Sequence, residues 1–249
     1  MTKTNRLAVV TGGIGGIGSA ICVRLAQDGH KVVATYHPSE QDKAEEWLAE
    51  ISKQELDVGI VGGDVSSAED SAAMMAKIEE DFGNVDILVN CAGITRDSMM
   101  KRMTSEKWDA VISTNLSSAF YVTKPVWNGM VERGYGRIIN VSSMNGQRGQ
   151  AGQANYASAK AGMHGFTMTL AQEGAAKGIT ANTLAPGYVK TPMTDAIRED
   201  IREAIIATIP MKRFALPEEI ASGVSFLAAE QQAYITGAII PINGAFFMH

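Results

Sequence analysis

Tyr156 and Lys160 stand four residues apart in Asn155-Tyr156-Ala157-Ser158-Ala159-Lys160, and none of the other five of the chain's six tyrosines has a lysine at that distance. On a helix, positions i and i+4 share a face, so the ammonium can lie beside the phenol. A free phenol titrates at about 10, and a neighbouring cation favours its ionised form, drawing that value toward the range where proton transfer is useful. The pair is a candidate acid for a carbonyl oxygen. The same spacing also fits an exposed helix with an aromatic and a solvated lysine, so the rest of the chain must decide. Thr11-Gly12-Gly13-Ile14-Gly15-Gly16-Ile17-Gly18 follows one apolar run and opens a helical one. Glycines at a strand-to-helix turn let the backbone approach a pyrophosphate, and the helix start offers free N–H groups and a favourable dipole. In that order of elements the stretch reads as a dinucleotide cradle, with Gly12, Ile14, Gly16, Ile17 and Gly18 as candidate contacts.

Which dinucleotide depends on the end of the second strand. An acid there would bind the ribose 2′-hydroxyl of NAD and repel the 2′-phosphate of NADP. Val32-Val33-Ala34-Thr35-Tyr36-His37-Pro38 has no carboxylate, and the first is Glu40. The expected cofactor is therefore NADPH, with Tyr36, His37, Ser39 and Lys43 as candidate holders of its extra phosphate. Asp64-Val65, after the third strand, is placed to accept from an adenine amino group. Asn90, Ala92 and Gly93 belong to a turn of small residues after the fourth, suited to close packing beside the cofactor.

Seven apolar, β-branched runs carry these turns: Leu7–Thr11, Lys31–Thr35, Val58–Val61, Ile87–Asn90, Arg137–Val141, Thr180–Leu184 and Ala238–Ile242. Helical periodicity separates them near Ile17–Asp28, Gln41–Lys53, Ala68–Phe82, Ser105–Arg133, Tyr156–Lys177 and Pro217–Ala229. Continuous rather than alternating apolar runs predict a mainly parallel sheet covered by helices on both faces, a doubly wound α/β fold. Pro125 is expected to kink or split the fourth helix. Without a repeat or a linker, residues 1–249 read as one domain, in which the helical pattern at 191–209 is the expected substrate lid.

The chain has 249 residues, 45% of them hydrophobic, and a net charge of −5. A core is affordable without staples, and the absence of a basic stripe argues against nucleic acid. No signal-like segment opens the sequence, and no apolar run reaches the roughly 18 residues of a membrane span. Cys22 and Cys91 form no C-x-x-C pair, so neither a disulfide framework nor a metal site is expected. A cytoplasmic protein with reduced thiols is the resulting expectation.

Thr11–Gly18, Asn90-Cys91-Ala92-Gly93, Asn115, Ser143, Tyr156-x-x-x-Lys160 and Pro186-Gly187-Tyr188-Val189-x-Thr191, in this order, resemble the short-chain dehydrogenase/reductases over essentially the whole chain. The resemblance implies a single Rossmann-type domain, commonly a homotetramer, with Asn115, Ser143, Tyr156 and Lys160 as the catalytic set. Tyr156 would give its proton to a carbonyl oxygen as hydride arrives from the nicotinamide, while Ser143 orients that oxygen. Lys160 would lower the phenol pKa and hold the nicotinamide ribose, and Asn115 would support a water relay. Pro186, Gly187, Val189 and Thr191 would line the nicotinamide side, with Thr191 on the carboxamide. Cys91 replaces a more usual asparagine, a change the turn should absorb. His164 is expected to be a packed or surface histidine.

Within the family the resemblance is closest to reductases of 3-oxoacyl thioesters, carried by Gly93-Ile94-Thr95-Arg96-Asp97, Met103–Asp109, Asn145–Tyr156 and Tyr234–Gly237. Two substrates compete: 3-oxoacyl groups on acyl carrier protein, and acetoacetyl-CoA on the route to polyhydroxyalkanoate. Carrier-protein reductases tend to have an arginine where Leu170-Ala171-Gln172-Glu173 has Gln172, and loss of that cation weakens the case for an acidic protein partner. The expected reaction is thus reduction of acetoacetyl-CoA to (R)-3-hydroxybutyryl-CoA. Asp97, Gln150, Gln153 and Tyr188, with Ser143 and Tyr156, are the candidate substrate contacts. Arg96, Lys101, Arg102 and Arg148 are candidates for CoA phosphates, or else a solvated charged rim. A catalytically silent dinucleotide-binding subunit is the alternative from another class, and it has no need of all four catalytic positions.

Overall fold

Successive residues of the first strand, β1 (Leu7–Val10), go to opposite sides: Ala8 and Val10 join one buried cluster, Leu7 and Val9 another. A strand covered on both faces needs no alternating polarity, which is why it reads as a continuous apolar run. The computed structural model describes residues 5–248; residues 1–4 and 249 of the expected domain, and the side chain of Met193, lie outside the described residues. Six further strands, β2 (Lys31–Tyr36), β3 (Val58–Gly62), β4 (Val85–Asn90), β5 (Gly136–Val141), β6 (Ile179–Pro186) and β7 (Ile239–Ile242), complete a seven-stranded sheet. All pairs are parallel, in the order β3-β2-β1-β4-β5-β6-β7. The order reverses at β1, which lies between β2 and β4. Ligands of doubly wound sheets bind at the carboxyl ends of the strands beside such a reversal.

Among the described residues ten α-helices surround the sheet: α1 (Gly16–Gln27), α2 (Gln41–Ser52), α3 (Ala68–Phe82), α4 (Ser105–Ile112), α5 (Ser118–Arg133), α6 (Asn145–Arg148), α7 (Ala154–Gly174), α8 (Pro192–Asp195), α9 (Glu199–Thr208) and α10 (Pro217–Ala228). Residues of α1, α2 and α10 complete the cluster of Ala8 and Val10, and residues of α3, α5 and α7 that of Leu7 and Val9. Segment 191–209 folds mainly as α8 and α9, and α9 buries no residue.

The expected helix Ser105–Arg133 is broken, but not at Pro125. A π turn over Ser113–Ser117 separates α4 from α5, and Pro125 lies inside α5. Pro125 is on the exposed face, where solvent serves the carbonyl that lost its donor. The π turn carries Asn115, which it buries completely; such bulges gather at functional sites. Among the described residues no helix is long and apolar enough to cross a membrane, no group of side chains has the makings of a metal site, and both cysteines are free.

Candidate active site

A cleft of about 670 Å³ opens at the carboxyl ends of the strands. Its floor at one end is the glycine turn. Gly12 has φ +63°, and a Cβ on Gly18 would lie 2.2 Å from the Gly12 carbonyl oxygen, so side chains are excluded by conformation at one position and by space at the other. Thr11, given no separate role by the sequence, ties this turn to the next: its Oγ1 accepts the N–H groups of Cys91 and Ala92, both at 3.0 Å. Helix α1 starts at the turn with no side-chain cap and no acid in its first turn, leaving its N–H groups and dipole for an anion. Gly12, Ile14, Gly16, Ile17 and Gly18 all line the cleft, as do Tyr36, His37, Asp64 and Val65 toward the β2 edge. Ala92, Gly93, Pro186, Gly187 and Thr191 line its other parts.

Asn90 and Val189 are not in its lining. The Asn90 amide donates to Asn140 Oδ1 at 2.8 Å and Thr123 Oγ1 at 3.3 Å, inside a buried polar ladder under the site. Val189 is buried and bridges to Ala215. At the β2 edge, His37 Nδ1 lies 2.7 Å from Ser39 Oγ, and Nε2 lies 4.0 Å from Asp64. Lys43 pairs with Glu40 at 2.9 Å.

Ser143, Tyr156 and Lys160 meet at the other end. Ser143 lies close enough to the Tyr156 phenol to favour its ionised form, and Ser143 Oγ accepts the Asn145 N–H at 3.1 Å. Lys160 Nζ donates to the Val141 carbonyl at 2.8 Å and lies 5.6 Å from the Tyr156 ring centroid. Burial pushes the Tyr156 phenol up to about 12, against the lowering effect of Ser143, and pushes Lys160 down to about 8. The expectation that Lys160 makes the phenol more acidic is corrected: the ammonium is turned to a carbonyl, and desolvation of both groups outweighs their proximity. The result is a phenol that keeps its proton across the neutral range. Cys91, beside them, is held as a thiol by burial, which raises it to about 11.

Residues 6–202 match the short chain dehydrogenase family. The chain belongs to this family. An acetoacetyl-CoA reductase of Allochromatium vinosum is 59% identical over 244 residues, covering 98% of this chain and 99% of the relative. An acetoacetyl-CoA reductase of Cupriavidus necator is 51% identical over 245 residues, again covering 98% and 99%. Among solved structures, one from Agrobacterium tumefaciens whose proposed activity is gluconate dehydrogenase superposes with a TM-score of 0.92 at 34% identity, covering 98% of this chain and 96% of that one. Short-chain dehydrogenases are oxidoreductases that work with a nicotinamide dinucleotide, and the side-chain-free turn before an uncapped helix fits a pyrophosphate.

The fourth residue of the family's catalytic set, Asn115, also holds a loop in place. Both side-chain atoms of Asn115 are engaged by Ile94, Oδ1 accepting its N–H at 2.8 Å and Nδ2 donating to its carbonyl at 2.9 Å. Asn115 therefore fixes the loop after β4. Asn155, unremarked in the sequence, is fully buried. It donates to the carbonyls of Arg96 at 3.2 Å and Lys107 at 3.0 Å and accepts the Tyr156 N–H at 2.8 Å. An asparagine in the first turn of a helix, where its side chain competes for backbone groups, was the available signal. His164 is packed, as expected: Ser142 Oγ gives its one hydrogen to the Lys160 carbonyl at 2.8 Å, so His164 Nε2, at 2.9 Å, is the donor to Ser142.

None of Asp97, Gln150, Gln153 and Tyr188 lines the cleft. Gln153 accepts from Asn145 and donates to Asp97, both at 2.9 Å, so its amide positions the turn that carries Ser143. Gln150 accepts from Arg148 at 2.9 Å. Tyr188 stacks on Phe214, centroids 5.3 Å apart and planes at 17°.

Proposed function

We propose that this short-chain dehydrogenase reduces acetoacetyl-CoA to (R)-3-hydroxybutyryl-CoA with NADPH. The observation that carries the reading is the meeting of Ser143, Tyr156 and Lys160 in the same cleft as the glycine turn, with the phenol holding a proton. The bound dinucleotide supplies hydride to the keto carbon. Tyr156 gives its proton to the ketone oxygen, so full charge never develops there, and Ser143 donates a hydrogen bond to the same oxygen. Lys160 in its ammonium form holds the nicotinamide ribose, and Asn115 holds the loop after β4 against the site.

NADPH is favoured because no carboxylate ends β2, while Lys43 and His37 line the cleft there. CoA is favoured over a carrier protein by Gln172 and by the names of the two reductase relatives. The same reading makes α8 and α9 a substrate lid and the protein a cytoplasmic homotetramer, with no nucleic-acid or membrane partner. Exposed Phe120, Met168, Phe226 and Tyr234 are apolar surface that other copies would cover.

Purified protein given acetoacetyl-CoA should oxidise NADPH, form the (R)-alcohol, and lose most of kcat/KM when NADH replaces NADPH. Turnover confined to the carrier-protein thioester would assign it instead to the 3-oxoacyl-[acyl-carrier-protein] reductases. Dinucleotide binding with neither turnover would leave the silent subunit.

A further inference from the structure

Several cations of this acidic chain have a carboxylate partner, Arg24, Arg198 and Arg213 among them. Four of the cations without one are gathered beside the catalytic end of the cleft. Arg96, Lys101, Arg102 and Arg148 make no ion pair among the described residues. Arg96 lines the cleft, and the Ser98 N–H donates to Gly152 at 2.8 Å, so the segment leading to Lys101 and Arg102 runs beside the turn after Arg148.

Arg148 is the one held in place. Its guanidinium carbon lies 4.4 Å from the centroid of the Phe246 ring. One nitrogen donates to Gln150 Oε1 at 2.9 Å, and Nε reaches Asn145 Oδ1 at 3.5 Å. A ring face and two neutral amides fix the group without cancelling its charge. Phe246 is anchored in turn: its N–H donates to Asn243 at 3.1 Å, and its ring lies 6.1 Å from that of Tyr188, which rests on Phe214. The chain end thus presents an exposed, ordered and uncompensated guanidinium five positions beyond Ser143. Much of the entropy of ordering so long a side chain is lost before a ligand arrives, and its planar fork matches phosphate oxygens.

We propose that Arg148, braced by Phe246, binds the phosphates of the CoA carrier and so selects the CoA thioester over thioesters that lack phosphate. This rests on the thioester-reductase reading above. The test compares acetoacetyl-CoA with acetoacetyl-pantetheine, which has the same acyl group and arm but no phosphate. Arg148→Gln should raise KM for acetoacetyl-CoA about tenfold more than KM for acetoacetyl-pantetheine, one charge-assisted hydrogen bond in size. Phe246→Leu, which keeps apolar bulk but removes the ring, should shift the same ratio in the same direction by a smaller factor. In the wild type, KM for acetoacetyl-CoA should rise with salt, and less so in Arg148→Gln. Equal losses on both thioesters would overturn the proposal and make Arg148 a positioning residue for Asn145 and Ser143. A loss confined to the carrier-protein thioester would overturn it in favour of a protein surface. Wild-type protein that reduces neither small thioester defeats the underlying reading and this proposal with it, a result visible before any variant is made.

Discussion

At the dinucleotide end of the cleft the shape is made by backbone: Gly12 at positive φ, Gly18 without room for a Cβ, and the bare first turn of α1. Outside the lining at the other end, side chains reach across the chain to one another. Gln153 bridges Asn145 and Asp97, Arg148 lies over Phe246, and Tyr188 rests on Phe214. A backbone cradle comes from one contiguous stretch and tolerates almost no change, whereas a network assembled from the segments after β4, β5, β6 and β7 can be altered one residue at a time. The contrast explains how a family can keep one cofactor chemistry and vary the substrate.

Tyr156 stands where the two ends meet, and its loss should have the largest effect. On the proposed mechanism Tyr156→Phe removes the proton donor but keeps the ring, so kcat should fall by about 10²–10⁴-fold, with Kd for NADPH changed little. Steady-state turnover and a fluorescence titration of NADPH separate these. Turnover near the wild-type rate would mean that another group supplies the proton and that the seam lies elsewhere.

Gly18→Ala attacks the backbone end alone. A methyl group 2.2 Å from the Gly12 oxygen must displace the turn, and overpacking of this kind costs about 1–3 kcal/mol. Drawn from the ligand-shaped conformation, that is roughly a tenfold to hundredfold rise in Kd for NADPH. Turnover at saturating dinucleotide should suffer less than affinity. An unchanged Kd would erase the contrast, showing that the cradle is as adaptable as the network at the other end.

The same contrast governs what could be read from residues alone. The cradle was legible because its requirement is local: glycines between a strand and a helix are needed whatever else the chain does. The strands were legible because burial on both faces makes continuous apolar runs. Asn115 was found through the family resemblance, yet its hold on Ile94 is a contact across 21 positions. Pro125 misled because the rule for proline is local, while its cost depends on which face of α5 it occupies. The Gln153–Asp97 bond spans 56 positions, and no short-range pattern announces that both ends of that amide will be taken. Phe246 gave no signal at all, since an aromatic near a chain end has no partner until the fold brings Arg148 and Tyr188 to it. The direction of the Tyr156 shift failed for the same reason. Proximity to Lys160 follows from helix geometry, but burial comes from packing of β5, α6 and α7, which places the Lys160 backbone 2.8 Å from where a Gly146 Cβ would be.

That burial gives Lys160 a pH dependence of opposite sign in activity and in stability, the smallest of the expected effects. Folding lowers its pKa from 10.5 to about 8. Below that value it is an ammonium able to hold the ribose, and above it the charge is lost, while Tyr156 at about 12 remains a protonated acid throughout. kcat/KM for NADPH, which reports groups of the free enzyme, should therefore fall about tenfold between pH 7 and pH 9. Lys160→Arg, charged at every pH in this range, should flatten that limb at a lower overall rate. Stability runs the other way. Between about 8 and 10.5 the unfolded chain keeps this proton after the folded one has released it, so the Lys160 contribution to folding free energy rises with pH across the window. Replacing Lys160 by Met should therefore remove an upward component from the stability-versus-pH curve above pH 8 in the same range where the wild-type kcat/KM declines. If the two curves of the wild type and the variant are parallel in stability, the lysine is not titrating there, and the basic limb of activity belongs to another group at the seam.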